Sequence, residues 1–133
     1  MDDGKSTYRK RTILVVDDAE VIRKMVCAML VQNGYDCVEA SDGHEALRTL
    51  ADGPVHLVLT DVVMPGMGGA ELATRLAVER PEMRVVFMSG YSDHPVVQDI
   101  ERTASIFLPK PFTAGVLIAK IRQVLDQPWE GLK

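Results

Sequence analysis

Aromatic residues are scarce, 5% of the 133 residues, and there are two cysteines, Cys27 and Cys37. Neither cysteine has a CxxC partner, and both are expected to be free thiols acting as small buried hydrophobes. No run of 18 apolar residues occurs, which excludes a membrane-spanning helix. Residues 1–11 are polar and lack the apolar stretch of a secretory signal, so they are expected to form a flexible arm and the chain to be cytoplasmic. Positive charge is also in deficit. Fifteen Lys and Arg against nineteen Asp and Glu give a net charge of −4, which argues against direct nucleic-acid binding. The one basic cluster, Lys5, Arg9, Lys10 and Arg11, stands beside Asp2 and Asp3 and reads as part of a solvated arm. His44, His56 and His94 are scattered, which argues against a histidine phosphocarrier.

What is present is enough for one core. A chain of this length is one domain at roughly 100–200 residues per domain, and its 47% apolar and 26% charged content is that of a soluble globular protein. Short apolar runs alternate with helical patterns. The runs are Ile13-Leu14-Val15-Val16, Leu57-Val58-Leu59, Val85-Val86-Phe87-Met88 and Ile106-Phe107-Leu108. Unbroken runs of this kind suit parallel strands buried on both faces. The more mixed segment 35–40, with Asp36 and Glu39 inside it, suits a sheet edge.

Between the runs lie five helical stripes. Ile22, Met25, Val26, Met29 and Leu30 form the first, which Gly34 stops. Asp42 and Glu45 make a capping box before Ala46, Leu47 and Leu50. Leu72, Ala73 and Leu76 form the third. Val96, Val97 and Ile100 follow Pro95 as the fourth. Leu117, Ile118, Ile121 and Leu125 form the last, with Thr113 as N-cap. Strand and helix alternating five times predict an α/β fold: a five-stranded parallel sheet with helices on both faces, in the flavodoxin-like order 2-1-3-4-5. The domain is expected over 12–126, with 127–133, including Trp129, as a frayed tail.

In open sheets of this kind ligands bind beyond the carboxyl ends of the strands. Asp17 and Asp18 follow the first strand, Asp61 the third, Ser89 the fourth and Lys110 the fifth, so the fold brings all five to one rim. Two carboxylates ~4 Å apart repel by about 4 kcal/mol at an effective dielectric of 20, so three together call for protons or a cation. All-oxygen ligands select a hard ion, Mg²⁺ first and Mn²⁺ as the alternate. An ionised carboxylate, a hydroxyl and a lysine beside such an ion suit phosphoryl transfer, with Asp61 the central nucleophile. Gly66-Met67-Gly68-Gly69 fails the spacing of a dinucleotide loop and reads as a turn into the third helix.

The chain resembles the response-regulator receiver (CheY-like) domains of two-component signalling. The resemblance rests on Ile13-Leu14-Val15-Val16-Asp17-Asp18, on residues 60–69 (Thr60-Asp61-Val62-Val63-Met64-Pro65-Gly66-Met67-Gly68-Gly69), on Met88-Ser89-Gly90-Tyr91, and on Leu108-Pro109-Lys110-Pro111-Phe112. It implies that Asp61 is the phospho-acceptor. Asp18 would touch Mg²⁺ directly, Asp17 through water, and the backbone carbonyl of Val63 would complete the protein ligands. Ser89 would be the switch hydroxyl, Phe107 the switch aromatic, and Lys110 the lysine preceding a cis Pro111. Val63 and Tyr91, two positions after Asp61 and Ser89, would flank the path of a hydrolysing water.

The implied function is a switch rather than an enzyme with an external substrate. A histidine kinase or phosphotransfer protein would phosphorylate it, docking near Ala19, Ile22, Arg23 and the Pro111-Phe112 loop. The surface around the fourth and fifth predicted helices and the fifth strand would then change for a downstream protein. The state is expected to be a monomer or weak dimer, with no membrane partner. Residues 92–105 lack the family's usual Gly-Ala pair, and the spacing from Ser89 to Lys110 is about one residue short. The competing readings are a Mg²⁺-dependent phosphatase working through an aspartyl-phosphate and a docking module that never uses the site.

Overall fold

The computed structural model describes residues 10–90, 106–129 and 131. Its strands are β1 (Thr12–Val16), β2 (Asp36–Ala40), β3 (Leu57–Asp61), β4 (Arg84–Ser89) and β5 (Phe107–Pro109), and its helices α1 (Glu20–Gln32), α2 (Gly43–Asp52), α3 (Gly69–Glu79) and α4 (Ala114–Asp126). All neighbouring strands pair in parallel, in the order β2-β1-β3-β4-β5 predicted from the apolar runs. The fourth predicted helix, on Val96, Val97 and Ile100, lies outside the described residues.

Alternation along each strand divides the core into two halves. Ile13, Val15, Leu57, Leu59, Val86, Met88 and Leu108 face one side, where Val26 and Leu30 of α1 and Leu117 and Ile121 of α4 cover them. Leu14, Val16, Val58, Val85 and Phe87 face the other, beneath Ala46 and Leu50 of α2 and Leu72 and Leu76 of α3. The unbroken apolar runs are thus explained, since both faces of the central strands are roofed.

Helix starts follow the sequence signals. The Asp42 carboxylate accepts from the Glu45 amide at 2.9 Å, while Glu45 reaches back to the Ser41 amide, a capping arrangement displaced by one residue at its return bond. The Thr113 hydroxyl accepts from the Val116 amide at 3.2 Å.

Two expectations are corrected. Cys27 and Cys37 are not free thiols; they form a disulfide between α1 and β2, with Cα atoms 5.7 Å apart. The α1–β2 turn folds the chain back so that residues ten apart in sequence face each other across the layer, which no spacing motif announces. Trp129 is not part of a frayed tail. It packs against both core clusters and, with Ala73, Leu76, Pro81, Met83 and Val85, lines a cavity of about 300 Å³. The helix ends at Asp126, Gln127 is extended ahead of Pro128, and the half-buried indole that follows gains apolar contact against the core.

Candidate functional site: an acidic cluster at the strand ends

The carboxyl ends of β1, β3, β4 and β5 meet at one rim, and each predicted residue sits there because its strand stops there. Asp17 and Asp18 follow β1, Asp61 ends β3, Ser89 ends β4, and Lys110 follows β5. The three carboxylates each place an oxygen within 4.8 Å of the others. Asp17 is 1% and Asp61 8% exposed, while Asp18 faces solvent.

Lys110 reaches into this cluster. Its ammonium lies 3.1 Å from Asp61 Oδ1 and 3.5 Å from Asp17 Oδ2. Burial alone would lower the Lys110 pKa, but the Asp61 and Asp17 carboxylates outweigh it and hold the ammonium above its ordinary 10.5. The Lys110–Pro111 peptide is cis, and the Lys110 amide donates to the Ser89 carbonyl at 2.7 Å, which ties the end of β5 to the end of β4.

The backbone around the acids is fixed from several directions. Asp17 Oδ1 accepts from the Ala19 amide at 2.9 Å, at the start of α1, where the helix end favours negative charge. Its main-chain N–H donates to Ala40 at 3.1 Å, and its carbonyl accepts from the Arg23 guanidinium at 2.8 Å. Arg23 in turn pairs with Glu39 at 2.8 Å. The Val62 amide donates to Asp61 Oδ1 at 3.0 Å. Beneath Asp61, Gly69 opens α3 so close to the Asp61 carbonyl that any Cβ would collide with it. Gly66 turns the intervening loop at φ 77, a left-handed angle suited to glycine. The Gly66–Gly69 stretch is therefore a turn, as expected, and it also lets a helix start against the end of β3.

The other predicted residues sit as follows. Ser89 is half-buried, one position beyond Met88, the β4 partner of Asp61. Phe107 is half-buried and stacks on Phe87 with ring centroids 5.3 Å apart. Val63 is 47% exposed in the loop after β3. Tyr91 lies outside the described residues. Arg23, for which the family resemblance implies a docking role, is a backbone anchor for Asp17; the signal for that was its position one turn into the helix that follows the acid pair.

The donor set suits a hard divalent cation. The buried Asp17 Oδ2 has no hydrogen-bond partner among the described residues, its ion-pair contact there being the Lys110 ammonium at 3.5 Å, and three carboxylates crowd around that ammonium. Carboxylate oxygens gathered in this way are the donors Mg²⁺ takes.

Residues 13–122 match the response regulator receiver domain family, and the chain belongs to it. Among curated proteins it is 35% identical over 127 residues to the phosphate regulon transcriptional regulatory protein PhoB of Pseudomonas aeruginosa, covering 91% of this chain and 54% of that protein. It is 34% identical over 119 residues to the sensor kinase CckA of Brucella abortus, covering 87% of this chain and 13% of that one. The chain thus spans about half or less of these relatives. Among solved structures it is similar to the receiver domain of NtrX from Brucella abortus, at 34% identity and TM-score 0.78, with 86% of this chain and 98% of that one covered. A CheY-like receiver from Methanospirillum hungatei matches at 29% identity and TM-score 0.78, with 89% and 95% covered. The receiver family is a signalling switch of two-component systems. Among the described residues no helix is long and apolar enough to cross a membrane.

Proposed function

We propose that this chain takes a phosphoryl group onto Asp61 from a phosphohistidine of a histidine kinase or phosphotransfer protein, and that the modified state changes a protein-binding surface. The observation that carries the reading is the Lys110 ammonium 3.1 Å from Asp61 Oδ1, inside the acidic cluster of Asp17, Asp18 and Asp61. Asp61 needs no general base, because a carboxylate is charged at neutral pH. Its oxygen attacks phosphorus, the histidine N–P bond breaks, and the imidazole keeps the electron pair. Lys110 then pairs with the charge gathering on the phosphoryl oxygens.

Asp17, Asp18, Asp61 and the Val63 carbonyl would hold Mg²⁺, or Mn²⁺ in its place, which when bound supplies charge neutralisation at the transferring group. Phosphorylation adds close to two negative charges, and Ser89 supplies the hydroxyl that bonds them and draws the β4 end inward. Phe107, on the neighbouring strand, reports that movement. Donor docking falls on the start of α1, around Ala19, Ile22 and Arg23, and on the Pro111-Phe112 loop, where Val21 and Met25 of α1 add exposed apolar surface. The setting is the cytoplasm, and the output is a protein partner, with neither nucleic acid nor membrane as a direct ligand. Outside its own phosphorylation and dephosphorylation the chain catalyses nothing.

The test is incubation with acetyl phosphate and Mg²⁺, followed by intact mass. A stable gain of one phosphoryl group is expected. Turnover of an external phosphoester would favour the phosphatase, and an unchanged mass would favour the docking module.

A further inference from the structure

We propose that Cys27 and Cys37 form a reversible thiol–disulfide site whose state is relayed to the carboxylate cluster through Arg23. The two cysteines lie on the seam between α1 and β2. Cys27 is buried, whereas Cys37 is half-buried on an edge strand, one side of which has no neighbouring strand among the described residues. Cys37 is therefore the sulfur that a small oxidant reaches first, and Cys27 the resolving sulfur behind it.

The seam continues toward the acids. Arg23 and Cys27 stand one turn apart on α1, so they share a face. Cys37 and Glu39 are two apart on β2, so they also share a face. The result is two adjacent cross-links between the same elements: the disulfide, and the Arg23–Glu39 pair at 2.8 Å with Lys24–Glu39 beside it at 3.0 Å. Arg23 then donates to the Asp17 carbonyl at 2.8 Å, and the Asp17 amide bonds the end of β2 at Ala40. Closing the sulfur cross-link fixes the distance between helix and strand and thereby holds Arg23 against Asp17. Opening it leaves that position to an ion pair that is partly exposed and correspondingly weaker.

The chemistry balances with a hydroperoxide as oxidant. The Cys37 thiolate attacks the peroxide, the O–O bond breaks, and hydroxide leaves and takes up a proton as water. The Cys27 thiolate then attacks the Cys37 sulfenic sulfur and expels a second hydroxide, which also leaves as water. Two thiols are oxidised by two electrons and hydrogen peroxide is reduced to two waters. A dithiol reductant returns two electrons and two protons. In a reducing compartment the open form is the resting one, and the closed form marks oxidative conditions.

The relay rests on the metal reading given above; the sulfur chemistry does not. The full chain is reduced with a dithiol, re-oxidised with hydrogen peroxide, and weighed, with Mg²⁺ affinity measured by calorimetry in both states. The mass is expected to fall by two hydrogens, and the oxidised form to bind Mg²⁺ about threefold more tightly, the scale of coupling through a packed network. Arg23→Met should still close its disulfide but lose the affinity difference, and Glu39→Gln should reduce it. Cys37→Ser should bind like the reduced protein. Failure to lose the hydrogens overturns the site. Equal affinities in the two states, or a difference that persists in Arg23→Met, overturn the relay. Absence of Mg²⁺ binding in both states overturns the relay together with the metal reading, and the mass result still decides the sulfur site.

Discussion

β2 and β5 are both edge strands, yet they are held in different ways. β2 pairs with β1 along Asp36–Ala40 and is cross-linked to α1 by the Cys27–Cys37 disulfide and the Arg23–Glu39 and Lys24–Glu39 pairs. Among the described residues, β5 pairs with β4 along Phe107–Pro109 and is held by the burial of Leu108, the stack of Phe107 on Phe87 and the Lys110 amide bond to the Ser89 carbonyl. The acids Asp17 and Asp18 hang from the secured side and Lys110 from the short one. Asp61 stands between them. On the proposed reading, a charge added at Asp61 acts on a site with one wall cross-linked to a helix and one wall that, among the described residues, pairs over three positions, and conformational change is expected on the β4–β5 side.

The largest effect should come from removing the aromatic support of that lighter edge. Phe87 is fully buried, so Phe87→Ala should cost about 3–5 kcal/mol in denaturant unfolding. Phe107→Ala, at a half-buried position, should cost clearly less. Equal costs would show that the ring stack, rather than burial, holds β5. On the secured edge, Cys27→Ser should cost roughly 2–3 kcal/mol under non-reducing conditions, the chain-entropy value for a loop closed over this short separation. Reducing the parent should cost it a similar amount; a parent indifferent to reductant would remove the disulfide from the comparison.

Between the edges, the Val63 side chain would offer no hydrogen bond to a water approaching a phosphoryl group on Asp61, as the proposed function has it. Val63→Asn should speed decay of the phosphorylated protein by about tenfold, or ~1.4 kcal/mol in the barrier. An equal or slower decay would show that this side chain does not govern water access. The smallest effect belongs to Glu39. Burial alone would raise its carboxyl pKa, but Lys24 and Arg23 outweigh burial and hold it below 4.5. Because the folded value is depressed, its stabilisation is present above pH 4.5 and is lost as pH falls through that folded value. The loss should stay below about 1 kcal/mol, since both ends of the pair meet solvent. Glu39→Gln should flatten this part of the pH–stability curve, and an unaltered curve would place the dependence elsewhere.

The contrast between the edges also marks what the residues reveal by themselves. The central strands were legible because Ile13–Val16 and Val85–Met88 are apolar on both faces, and the strand order followed from the mixed character of 35–40. The rim of Asp17, Asp18, Asp61, Ser89 and Lys110 was legible because topology alone carries strand ends to one side. The sulfur cross-link was not, since it depends on how far α1 leans toward β2. Nor was the packing of Trp129, which depends on where the chain turns after Pro128. The bond from Arg23 to the Asp17 carbonyl was hidden for a related reason: backbone acceptors carry no residue identity.

Which residue carries the phosphoryl group can be mapped chemically. The protein is treated with acetyl phosphate and Mg²⁺, reduced with borohydride, which converts a phosphoaspartate to homoserine, and sequenced by peptide mass. Homoserine is expected at position 61 in the parent, and no modified residue in Asp61→Asn. Homoserine at 17 or 18 in the parent, or modification that continues unchanged in Asp61→Asn, would contradict it.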